Sequence, residues 1–87
     1  MMNFDDLSLE HRDLIGQYES NDCAIGEFQA TIMDLVKTRS EVVEILLGEM
    51  LERQKSMTEA KMKLLQANFS MEDIQHLSMQ YFEKYHH

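Results

Sequence analysis

The residues able to do chemistry in this chain are few: one cysteine, four histidines and three arginines among 87 residues. Cys23 has no histidine beside it. It follows Asp22, whose charge raises a thiol's pKa instead of activating it. A helix N-terminus would act the other way. The plainer reading is a small, buried or half-buried residue at a helix start.

The histidines are His11, His76, His86 and His87. Glu72 and Asp73 precede His76 by one helical turn, so one face presents a carboxylate and an imidazole. Di-iron bundles use two Glu-x-x-His steps and two further glutamates. Here one such step stands alone, with Asp in place of Glu, and a solvated polar face accounts for it. His86 and His87 end the sequence, where helices fray.

Small helical enzymes hold anionic substrates with grouped cations. Arg12, Arg39 and Arg53 are scattered and not grouped with core-facing lysines. There is no glycine-rich phosphate loop and no EF-hand pattern. A non-enzymatic protein is expected, with no cofactor and no metal. The basic stretch from Arg53 to Lys63 is laced with Glu52 and Glu59 and has no aromatic ring before Phe69. It reads as a solvated helix face, not a nucleic-acid contact. Arg39 interrupts the apolar stripe, as a snorkelling corner residue or as a specificity device in a helix interface.

These residues must be positioned by helices. There is no proline, there are only three glycines, and runs of strand-forming residues are missing. Leu, Met, Glu, Gln, Lys and Ala dominate, and these lose least on entering a helix. The eight methionines suit either a loosely specified core or an adaptable binding face. One cysteine permits no internal disulfide, so a chain this short gains buried area most easily from a partner.

The net charge of −8 repels nucleic acid and anionic lipid surfaces. No apolar run approaches the roughly 20 residues of a membrane span. The first residues lack the basic-then-apolar order of a signal peptide. A cytoplasmic setting is expected, in keeping with a lone thiol.

Three places punctuate the chain. Glu19-Ser20-Asn21-Asp22 favours a turn. Before it, a helix over about 6–18 is expected, with Asp5 as N-cap and Phe4 and Leu9 as a hydrophobic staple. Thr38 and Glu41 have capping-box spacing and mark either a hairpin corner or a mid-helix polar stretch. At Asn68-Phe69-Ser70, Asn68 suits the left-handed position after a helix, and Ser70 caps the next one with Asp73. The expected helices are 6–18, 23–37, 41–67 and 71–85, the second and third either separate or continuous.

Ile25, Phe28, Ile32, Leu35, Val36, Val42, Val43, Leu46, Leu47, Met50 and Leu51 make a stripe of three- and four-residue steps, the mark of a helix lying on a helix. From Glu52 to Lys61 the stripe thins and the helix is expected to stand in water. An unbroken helix over 23–67 would span about 68 Å. A compact chain of this size has a radius of gyration of about 12 Å. So the chain either folds back near Thr38–Glu41 or pairs with a second chain.

The expected fold is all-α: a helical hairpin or small antiparallel bundle of three to four helices, coiled-coil-like and oligomeric. The expected function is protein binding, by a small chaperone, adaptor or regulator that offers an apolar helix face. In type, a short acidic Met-rich helical chain resembles small bacterial accessory proteins such as secretion co-chaperones and regulator-binding proteins. The partner is another protein chain, a second copy or a different protein, with neither nucleic acid nor membrane.

The expected contact residues are Leu46, Leu47, Met50, Leu51, Met57, Tyr81, Phe82 and Tyr85. A fold-back makes much of the stripe ordinary core and moves the contact surface to 52–65 and the Tyr81–Tyr85 end. The alternative is an inhibitor or immunity-type protein. Its acidic patch (Asp5, Asp6, Glu10, Asp13, Glu19 and Asp22) would cover a basic site on its target.

Overall fold

The computed structural model describes residues 2–38 and 41–86. Among them the chain forms three α-helices and no strand: α1 Leu9–Leu35, α2 Val42–Gln66 and α3 Met71–Tyr85. Short 3-10 turns occupy Phe4–Asp6 and Val36–Thr38. The most extensive packing is between α1 and α2, so the chain folds back and the two helices form an antiparallel hairpin. Glu41 occupies the N-cap position of α2 and makes no side-chain capping bond. The expectations for Arg39 and for the Thr38 side chain lie outside the described residues.

The expected break at Glu19–Asp22 does not occur; α1 runs through it. The reason lies in Asn21, which is buried. Its amide Nδ2 donates to the Gln17 carbonyl at 2.7 Å and to Ser56 Oγ at 2.9 Å. Gln17 Nε2 donates to the carbonyl and hydroxyl of Ser56, both at 3.1 Å. Side-chain amides that favour turns when free are here spent on joining α1 to α2. Four expected helices thus become three.

The start of the chain also differs. Ser8, not Asp5, caps α1, its Oγ accepting from the His11 N–H at 3.2 Å. Leu9 is exposed, so the Phe4–Leu9 staple is not made. Phe4 instead enters the core, its ring edge-on to Tyr81 at 5.8 Å.

The third boundary is as expected. Asn68 has φ 71°, the left-handed conformation. The Phe69 N–H reaches the Leu64 carbonyl and the Asn68 N–H the Leu65 carbonyl, both at 3.1 Å. This pair of bonds is a Schellman motif. Phe69 and Leu64, joined by it, are both buried in the core. Ser70 and Asp73 then form a reciprocal capping box at the start of α3.

The core comprises Phe4, Leu14, Ile15, Ala60, Leu64, Phe69, Ile74 and Leu77. All of it lies at the end of the hairpin away from the corner. At 1.5 Å per residue α3 is about 22 Å long and α2 about 38 Å, so α3 cannot cover the hairpin. The radius of gyration is accordingly 15.0 Å and the principal extents 47 × 28 × 19 Å. Of the long apolar stripe only Ile25 is buried, while Val36, Val42, Leu47 and Leu51 are exposed. The fold-back therefore does not convert the stripe into ordinary core. The stretch expected to stand in water, Glu52–Lys61, is not wholly exposed, since Ala60 is fully buried and Ser56 and Met57 are half-buried.

Candidate functional site

The expected contact residues fall into three groups. Leu46, Met50 and Met57 are half-buried and belong to the seam with α1. Leu47 and Leu51 are exposed on the outer side of α2. The aromatic end of α3 is divided. Tyr81 is half-buried, and a Cβ at Gly16 would meet its ring at 3.0 Å. Tyr85 packs on Tyr81 with centroids 4.7 Å apart and remains exposed. Phe82 is exposed and stacks on His86 at 4.7 Å. Tyr81 thus closes the core, whereas Phe82 and Tyr85 stand at its rim.

The named contact residues leave out Met33 and Ile45, large and exposed, and also Met62 and Leu65, which fall within the 52–65 surface expected for a fold-back. A signal for the last two was present in the sequence. Leu65 stands one residue after core residue Leu64, as Leu47 and Leu51 stand one after Leu46 and Met50. Met62 lies four residues before Gln66, on the same side of the turn. Together they form an outer apolar row, which a search for a single stripe merges with the inner one.

Around the N-terminus the polar contacts are structural. The Phe4 N–H donates to Gln80 Oε1 at 2.7 Å. Gln80 Nε2 lies 3.0 Å from His76 Nε2. Lys84 Nζ pairs with Asp5 Oδ1 at 2.6 Å and lies 5.7 Å from the Phe4 ring centroid. This hydrogen bond and the lysine charge hold the Asp5 carboxyl below its usual range, and Asp5 in turn raises Lys84. His76 is thereby engaged by Gln80, and no group of three or more His, Cys, Asp or Glu among the described residues is placed to hold a metal ion.

Cys23 Sγ donates to Glu19 Oε1 at 3.5 Å. Burial, then the Glu19 carboxylate, pushes the thiol's pKa up, with Asp22 a smaller contributor. Such a thiol stays protonated at neutral pH and is a poor nucleophile. Burial likewise raises Glu19. Ser78 is buried between helices, and its hydroxyl has no hydrogen-bond partner among the described residues.

The concavities are shallow. One is lined by Asn21, Glu49, Glu52, Arg53 and Ser56, another by Glu19, Met79, Phe82 and Glu83. No helix among the described residues is long and apolar enough to cross a membrane. Comparison with protein-family models, with curated proteins and with solved structures found no match to this chain.

Proposed function

We propose that this chain is a helical protein-interaction module, a small cytoplasmic chaperone, adaptor or regulator that offers the uncovered face of its hairpin to another protein chain. One observation carries the reading. Beyond the reach of α3, Met33, Val36, Ile45, Leu47 and Leu51 remain exposed, Met33 at 76% and Leu51 at 62%. Large apolar side chains left exposed together at one end of a hairpin favour a surface that a partner covers. The cytoplasmic setting is supported by Cys23, a free thiol.

The acidic alternative has less to stand on. Asp5 is already paired with Lys84, and Glu19 is half-buried and bonded to Cys23. Both would have to be released to serve a basic target.

The test is affinity capture from lysate with the wild type, Ile45→Asp/Leu51→Lys and Asp13→Lys/Asp22→Lys, at about 0.05 and about 0.5 M salt. The expected result is a bound protein lost only with the apolar substitutions and retained at high salt. Binding lost at high salt and with the acid substitutions would establish the inhibitor-type reading. A set of bound proteins unchanged by either pair would sink both.

A further inference from the structure

The inner seam of α2 passes through Val43, Leu46, Met50, Met57, Ala60 and Leu64, all buried or half-buried. A second row, made of Leu47, Leu51, Gln54, Thr58, Met62 and Leu65, is exposed along its whole length. It is the inner row advanced by about one residue, or about 100° around the helix. Leu47 is 40% exposed, Leu51 62%, Met62 49% and Leu65 37%. In a four-helix bundle each helix touches two neighbours on faces set apart in this way. α2 packs chiefly on α1 and only briefly on α3.

The outer row reads nearly the same from both ends. Leu47 and Leu65 stand nine residues either side of Ser56, and Gln54 and Thr58 two residues either side. Leu51 stands five before it and Met62 six after. A row with this symmetry is complementary to its own reverse, as a twofold contact requires.

Charge is less evenly divided. Before Ser56, α2 carries Glu44, Glu49 and Glu52 with Arg53 and Lys55, and beyond it Glu59 with Lys61 and Lys63. None of these bases forms an ion pair among the described residues. Antiparallel alignment about Ser56 brings Lys55 within one helical turn of Glu59 of the second copy, an opposite-charge neighbour.

We infer that a second copy of this chain docks on the outer row of α2, the two α2 helices antiparallel about a twofold axis at the level of Ser56. The inference rests on the reading of the exposed face as a contact surface and names what covers it. Leu47 then meets Leu65 of the second copy, and Leu51 meets Met62 of the second copy. Lys55 and Glu59 of the second copy pair along one flank, twice by symmetry.

Sedimentation equilibrium across a wide concentration range tests this. The expected mass rises from that of one chain towards twice that value. Leu51→Lys remains a single chain at every concentration, with helical circular dichroism unchanged because Leu51 is outside the core. Lys55→Glu raises the dimer Kd roughly fivefold, as the loss of two exposed ion pairs implies. Lys55→Glu/Glu59→Lys returns it to near the wild-type value.

A wild type that stays a single chain throughout overturns the self-pairing, whatever lysate capture shows for other proteins. A dimer indifferent to Leu51→Lys, or not restored by the double exchange, overturns this interface. Loss of the lysate partner with Leu51→Lys in a strictly monomeric chain would uphold the contact surface and reject the second copy as its occupant.

Discussion

Asn21 and Gly16 show how single residues decide the architecture. Asn21 reads as a turn former, and in isolation it is one. Its burial against Ser56 reverses that preference, and no local pattern predicts it because Ser56 is 35 residues away. Gly16 lies inside α1, where a glycine weakens a helix. Its lack of a Cβ is what admits the Tyr81 ring. Gly26 differs, since nothing lies within 4 Å of a Cβ placed there. Gly26→Ala is therefore expected to raise unfolding free energy by about 0.5–1 kcal/mol, the difference in helix propensity. Gly16→Ala gains the same term and must also push Tyr81 off Phe4. It is expected to fall below Gly26→Ala, with a net loss of stability, in chemical denaturation followed by circular dichroism.

At the level of elements, the boundary between α2 and α3 was legible and the start of α1 was not. The Asn68 turn and the Ser70–Asp73 box need only neighbouring residues, so α3 runs over the expected 71–85. The cap of α1, Ser8, is also local, but Phe4 reaches Tyr81 far along the chain and the expected staple with Leu9 around Asp5 is lost. The N-terminal turn is clipped to α3 by Asp5–Lys84 and by Gln80. Asp5 is depressed in the folded state, so its contribution is present above the unfolded value of about 3.9 and is lost as pH falls through the folded one. Lys84 is raised, so its contribution is complete below its unfolded value of about 10.4 and is lost as pH rises through the folded one. Amide exchange at Phe4 is expected to be slowest, after correction for the intrinsic rate, between about pH 4 and pH 10. Asp5→Asn should remove the acid side of that dependence. An unchanged acid limb in Asp5→Asn would mean that another group clips the turn.

On the scale of the molecule, the two ends of the hairpin are unequal. Ile15, Leu64, Ile74 and Leu77 are fully buried at one end. Towards the corner the helices touch only each other, with Phe28, Ile32, Val43 and Leu46 half-buried. The all-helical class was legible from composition, while length left a fold-back and pairing with a second chain both open. The placement of the core was not, because the apolar stripe is densest where the structure buries it least. Amides of residues 28–35 and 43–50 are expected to exchange through local opening, well below the global unfolding free energy. Those of 12–20 and 60–66 should approach the global value. Uniform protection along both helices would contradict a core confined to one end. It would also be the signature of a second copy lying on α2, so the comparison belongs at low concentration.

The open arm of the hairpin is a cantilever. From Asn21 to Leu35 it extends about 22 Å beyond its seat. A rotation of about 5° at the seat moves its tip by about 2 Å, from the same rise per residue. What limits that rotation is the contact of the Tyr81 ring with Gly16 and the Gln17–Asn21–Ser56 hydrogen bonds. A force applied at the corner is therefore felt as torque at these few residues. The stiffness with which the arm is presented is set at its base, by atoms that nothing gripping the tip would touch.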